Sequence, residues 1–226
     1  MHIEPGIVDG AKMALAYTTA AGAAGYAAKL AWADVKRHGA APLVIRSALA
    51  TIGTFVFFEL LPHFPAGVSE VHFILGTTLF LLLGAAPAAI GLAAGLAIQG
   101  MTFAPTDLPM YFVNVTTLLV PLFAIFALAK RIVAPGTAYV DLKYRQALAL
   151  SATYQGGVVA WVAFWVLYGQ GVGAETTSAV MSFGAAYMLV VVIEPLADLA
   201  MLAGAKAIRD LRGARALLHP RVYNAG

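Results

Sequence analysis

The sequence predicts an all-α protein, a polytopic membrane bundle of about seven transmembrane helices forming one domain over residues 1–226. Three observations predict it. Hydrophobic residues make up 61% of the chain and charged residues 11%, whereas a soluble domain is about one-quarter charged. Mean hydropathy is +0.83. The apolar runs reach about 20 residues, enough to cross the hydrocarbon core as helices. They are continuous rather than alternating, so helices and not barrel strands must satisfy their backbone in lipid. Cysteine is absent, which excludes disulfides and thiolate metal sites and leaves nitrogen, oxygen or thioether ligands. The net charge of +3 does not point to nucleic acid, because in such a chain the placement of basic residues matters more than their sum.

The chain opens Met1-His2-Ile3-Glu4-Pro5-Gly6-Ile7-Val8, without the basic start and apolar run of a secretory signal. The expectation is that this segment is retained. Removal of an initiator Met needs a small second residue, so the bulky His2 should leave the free amine on Met1. Asp9 is a plausible N-cap for a first span reaching about residue 32. That span is rich in small residues, with Ala20, Ala24 and Ala28 in one row and Ala23, Ala27 and Ala31 in the next. Small residues at this spacing let a second helix approach closely. The approaching helix is either a neighbour within the bundle or a separate membrane subunit.

A basic turn at Lys36-Arg37-His38-Gly39 should precede a second span, opened by Pro42 and ending near residue 61. The loop from 62 to 72 holds His63, Glu70 and His72 among prolines and glycines. A third span, from 72 to about 86, is expected to break at Pro87. The fourth should run from about 88 to 103, with Gly91, Gly95 and Gln99 on one face, followed by a loop carrying Asp107. The fifth, about 110 to 129, carries Asn114 and a kink expected at Pro121. The sixth, about 146 to 168, contains Tyr154, Gln155 and an aromatic group of Trp161, Phe164, Trp165 and Tyr168 suited to a membrane interface. The seventh reaches about 203 and carries Glu194 and Asp198. A basic tail, 204–226, follows with Arg209, Arg212 and Arg215 three apart.

Seven spans put the termini on opposite sides. Lys29, Lys36, Arg37, Arg46, Lys130, Arg131, Lys143, Arg145, Lys206, Arg209, Arg212, Arg215 and Arg221 fall on one side, thirteen of the fourteen basic residues; Lys12 alone falls on the other. The positive-inside rule makes the crowded side cytoplasmic, with the N-terminus outside. Residues 1–8 then form an outer arm beside the His63–His72 and Asp107 loops.

That arm can offer three nitrogens to one metal ion: the Met1 amine, the deprotonated His2 amide and His2 Nδ1. The two fused chelate rings have five and six members. A planar three-nitrogen set with one open position suits Ni²⁺ or Cu²⁺, with Co²⁺ possible, although a chain also starts Met-His by chance. A fourth nitrogen is available from His72 or His63. His72 stands where a helix is expected to begin, and ligands work best on rigid elements; His63 lies on the looser part of the loop. Glu4 and Glu70 either orient imidazoles or are solvated acids. Asn114 could brace the arm through hydrogen bonds. Met101 and Met110 are thioether donors for Cu(I), more often packing residues. Glu194 is expected to pair with a basic residue near the cytoplasmic end of its helix. No phosphate-binding glycine loop, His-Glu-x-x-His or Gly-x-Ser-x-Gly motif is present, so the chain reads as a non-enzyme that does not itself hydrolyse nucleotide.

The opening Met1-His2-Ile3-Glu4-Pro5-Gly6, the segment His72-Phe73-Ile74-Leu75-Gly76 and the pair Asn114-Val115 resemble the CbiM/NikM family over nearly the whole chain. These are cobalt- and nickel-binding membrane subunits (S components) of energy-coupling factor transporters. The resemblance implies Co²⁺ or Ni²⁺ as transported substrate, no organic cofactor and a seat in the inner (cytoplasmic) membrane. It also implies a transmembrane coupling (T) subunit and separate cytosolic ATPases as partners. Metal ligands carried over fall on Met1, His2 and His72. Glu4 precedes Pro5, where the family usually has the reverse order, and the glycines after the later histidine are reduced to Gly76. The alternative is a stand-alone divalent-metal permease without ATPases.

Overall fold

A computed structural model describes residues 3–209 and 217–224. Among the described residues seven α-helices follow one another: α1 Met13–His38, α2 Ala40–Glu59, α3 Gly76–Leu83, α4 Ala85–Thr102, α5 Tyr111–Ile132, α6 Tyr144–Gln170 and α7 Ala174–Ala207. The all-α bundle is as the composition requires. Among the described residues five helical stretches, α2, α4, α5 with the turn before it, α6 and α7, are long and apolar enough to cross a membrane. Large apolar side chains such as Val44, Ile52, Met181 and Val192 face outward, as they must where lipid is the solvent.

The third span departs from expectation. It is a helix of only eight residues, all buried, about 12 Å long. Its chain enters from a short antiparallel hairpin, β1 Phe64–Ala66 with β2 Ser69–Val71, and crosses the upper part of the bundle as irregular backbone. Such backbone survives at membrane depth only when buried in protein that satisfies it. Glu194 of α7 does so. Its Oε1 accepts the N–H of Ile74 at 2.8 Å and of Leu75 at 2.9 Å, and its Oε2 accepts from the Gln155 amide of α6. One turn on, Asp198 accepts the Thr78 hydroxyl at 2.5 Å. Among the described residues Glu194 therefore serves the buried start of α3 and pairs with no basic residue, contrary to expectation.

The break after this helix comes at Gly84, whose φ of +96° favours glycine, rather than at Pro87. Pro87 sits in the first turn of α4, where no intrahelical N–H is required. At the other expected break, Lys36, Arg37 and His38 remain helical and the chain turns at Gly39. Asp9 precedes a single 3₁₀ turn at Gly10–Lys12 and makes no side-chain cap bond. Gly91 and Gly95 of α4 lie against Ala50 and Thr54 of α2, so closely that an added Cβ would meet them at 2.2 and 2.7 Å. This is small-residue packing of the kind that holds helices together in lipid.

Of the alanine row on α1, Ala20 is buried; Ala24 and Ala28 are exposed along an apolar groove shared with α4 and α5. The basic end of the bundle is tied together by Arg46, itself 1% exposed. It donates to Asp34 of α1 at 2.6 Å and to the Leu83 carbonyl closing α3 at 2.9 Å. The tail returns there, with His219 N–H on the Leu82 carbonyl at 2.7 Å. Arg212 and Arg215 lie outside the described residues.

Candidate metal centre

The N-terminal arm is built into the bundle. Ile3 and Val8 are fully buried and Ile7 nearly so, apolar burial sufficient to hold a short segment down. Ile3 forms an antiparallel bridge with Ser69 of β2 and donates its backbone N–H to Asn114 Oδ1 of α5 at 2.9 Å. The Ile7 carbonyl lies where a Cβ on Gly169 would be, 2.0 Å away, so only glycine at this end of α6 admits the arm. Lys12 closes the same corner, its Nζ donating to the Gly169 carbonyl at 2.5 Å.

The arm is thus tied at Ile3 to Ser69, three positions before His72. The imidazole of His72 is 1% exposed and its Nε2 lies 2.9 Å from Glu70 Oε2, a carboxylate 37% exposed. A neutral histidine donating Nε2–H to a carboxylate keeps its lone pair on Nδ1, for use as an acceptor or a ligand. Phe58 packs near the ring at 5.6 Å between centroids, and His63 stacks on it at 4.9 Å with planes 15° apart. Tyr187 of α7 donates to the His72 carbonyl at 3.5 Å. His72 is buried, whereas His63 is exposed, its Nδ1 3.3 Å from the Leu61 carbonyl.

Around this point Glu4, Glu70 and Asp107 line a cleft of about 310 Å³ with Pro65 and Ser69. Three carboxylates at one mouth raise the local concentration of cations. Glu4 therefore lies at the mouth, while Glu70 reaches His72. Asn114 also borders a small cavity of about 10 Å³ with Gln99 and Asp107. Two residues along α5 from Asn114, Thr116 Oγ1 accepts the indole N–H groups of Trp161 and Trp165 of α6 at 3.0 and 3.2 Å. Asp107 lines this cleft with the hairpin and Glu4, in line with the expected grouping of the arm and the two loops, whereas the pairing of Ser69 with Ile3 is not apparent from the sequence. Gly67, at φ +60°, turns the hairpin that presents Ser69 to Ile3.

Met1 and His2 lie outside the described residues. Among the described residues no three His, Asp or Glu side chains form a group that would hold a metal ion. The described part of the site therefore offers one buried imidazole, that of His72.

A family model described as the cobalt uptake substrate-specific transmembrane region matches residues 2–210. No curated protein and no solved structure matches the chain.

Proposed function

We propose, from the fact that this chain belongs to the CbiM family of cobalt-uptake transmembrane regions, that it captures Co²⁺ or Ni²⁺ on one membrane face through Met1, His2 and His72. The observation that carries the reading is the docking of Ile3 between Asn114 and Ser69. A trans peptide step is about 3.8 Å between Cα atoms. His2 is one such step from a residue paired three positions before His72. The terminal amine, the amide and imidazole of His2, and His72 would complete a square four-nitrogen set. This set accepts cobalt or nickel, with supply deciding between them. Glu70 would fix the His72 tautomer, Asn114 would hold the arm, and Glu4 would contribute to the acidic mouth.

In this reading the chain is the substrate-binding subunit of an energy-coupling factor transporter in the cytoplasmic membrane. Its arm faces outward and its basic end faces the cytoplasm. A transmembrane coupling subunit would dock along the exposed Ala24 and Ala28 groove, and separate ATPases would hydrolyse the nucleotide. The test is uptake of radioactive Co²⁺ by cells expressing this chain alone, with the coupling subunit and ATPases, or with ATPases defective in hydrolysis. Uptake that requires active ATPases supports the reading. Equal uptake by the chain alone would make it a stand-alone permease.

A further inference from the structure

The end of the bundle opposite the arm contains a cavity of about 500 Å³. Its cations come from three separate elements: Arg37 in the last turn of α1, Lys130 near the end of α5, and Arg221 in the 3₁₀ turn Pro220–Val222 of the tail. Among the described residues that line it there is no Asp or Glu. The nearby acid, Asp34, is already engaged by Arg46 at 2.6 Å and His38 at 3.0 Å. The cavity is therefore positively charged without an internal counter-ion.

Arg37 and Lys130 each complement the negative end of their own helix dipole, which accounts for a cation at those positions. Arg221 has no such reason to be there. Its guanidinium is spread across the Tyr139 ring, 5.1 Å from the centroid, and one amino group donates to the Ala134 carbonyl at 3.3 Å. Among the described residues its buried Nε has no hydrogen-bond partner. Lys130 is similarly set over Phe126, 3.9 Å from the ring centroid. α4 begins at the same wall, with Gly84 and Ala85 lining the cavity, and a helix N-terminus favours an anion. On the bundle side the walls are apolar, formed in part by Leu30 and Phe80. A lining that joins three cations with apolar side chains matches a phosphate group attached to the start of hydrocarbon chains.

We propose that this cavity binds a phosphate group, carried by an anionic phospholipid whose headgroup is gripped by Arg37, Lys130 and Arg221. The same chemistry accepts free phosphate, so the experiment separates the two sources. Bound lipid would fix the returning tail against α1, α5 and the α3–α4 turn. The site is distinct from the metal centre, which lies at the other end of the helices.

The purified full chain in neutral detergent is titrated with dioleoylphosphatidylglycerol, with dioleoylphosphatidylcholine and with inorganic phosphate at constant ionic strength. Native mass spectrometry and the thermal midpoint are the readouts. The phosphatidylglycerol should be retained and should raise the midpoint, and phosphatidylcholine should do neither. Arg37→Gln and Lys130→Gln, both at exposed positions, should each weaken retention about fivefold. Arg221→Gln should weaken it at least as much. Co²⁺ binding should be unchanged in the exposed pair, so failure here is distinct from failure of the metal reading. Stabilisation by inorganic phosphate at least equal to that by phosphatidylglycerol, lost in the same variants, would make free phosphate the ligand of this phosphate site. Equal retention of both lipids with no phosphate effect would overturn the proposal. So would undiminished phosphatidylglycerol binding by Arg37→Gln and Lys130→Gln.

Discussion

Ile3 and Asn114 are 111 positions apart in the chain, and the backbone N–H of the first donates to Oδ1 of the second at 2.9 Å. Asn114 is 1% exposed, so its amide oxygen meets that N–H away from water. Losing the acceptor would leave a buried donor unsatisfied, a cost of about 1–3 kcal/mol. Asn114→Ala should release the arm and lower Co²⁺ affinity about 10–100-fold, the usual effect of losing a group that positions a ligand. Asn114→Asp keeps the acceptor and should lose less. Calorimetric titration of the two variants checks this, and an Asn114→Ala protein with parental affinity would detach the bond from metal binding.

His72 and His63 stack on one another but should not be equivalent. His72 is buried and paired with Glu70, whereas His63 is exposed. His72→Ala should reduce Co²⁺ affinity by at least the 10–100-fold expected for a supporting group, His63→Ala by much less, and Glu70→Gln by an intermediate amount. Metal content after size-exclusion chromatography ranks the three. The reverse order for the histidines would make the loop residue the ligand.

What the sequence made legible follows from physics that acts locally. Continuous apolar runs give the helices, and the rows of Gly91 and Gly95 give the packed face of α4. The third span was misjudged because hydropathy does not distinguish a buried irregular segment from a spanning helix. Its apolar residues 73–75 look the same in either form. The cap that makes the irregular form possible, Glu194, comes from 120 positions away. At the site, His72 and Asn114 stood out as polar residues at the margins of apolar runs. The Ile3 bridge to Ser69 did not, since a β-bridge of one residue has no periodicity to read.

Glu194 carries the buried start of α3, and its removal should show as lost stability. Glu194→Leu strands the N–H groups of Ile74 and Leu75, roughly 1–3 kcal/mol each. Glu194→Gln retains an acceptor for both, and the Gln155 amide, whose Oε1 is otherwise without a partner, can rotate to accept from it. Thermal unfolding in one detergent should therefore place Glu194→Leu well below the parent and Glu194→Gln close to it. Parental stability in Glu194→Leu would contradict the capping role.

His219 gives the basic end a pH dependence. Burial first, then the charge of Arg46, lowers its pKa from 6.5 to about 4, with His38 and Arg221 adding to the shift and Asp34 opposing it. Between those values the unfolded chain binds the proton more readily than the folded one, so stability falls as pH falls from about 6.5 towards 4. Above 6.5 this group adds no slope. The thermal midpoint of the parent should drop more steeply across that window than that of His219→Gln; parallel curves would remove His219 as the cause.

The most direct test of the metal centre is the stoichiometry and affinity of Co²⁺ and Ni²⁺ for three forms of the same protein in one detergent. The forms have a native N-terminus, an acetylated one, and one extended by Ser-Gly. A site that uses the Met1 amine, the His2 amide and imidazole, and His72 requires that amine and the five-membered ring it closes. Acetylation removes the donor with little bulk, and extension moves it away. The native form should bind one metal ion per chain tightly, and both modified forms should lose tight binding, while a tag after Gly226 changes nothing. Full binding by the extended protein would contradict the amine chelate.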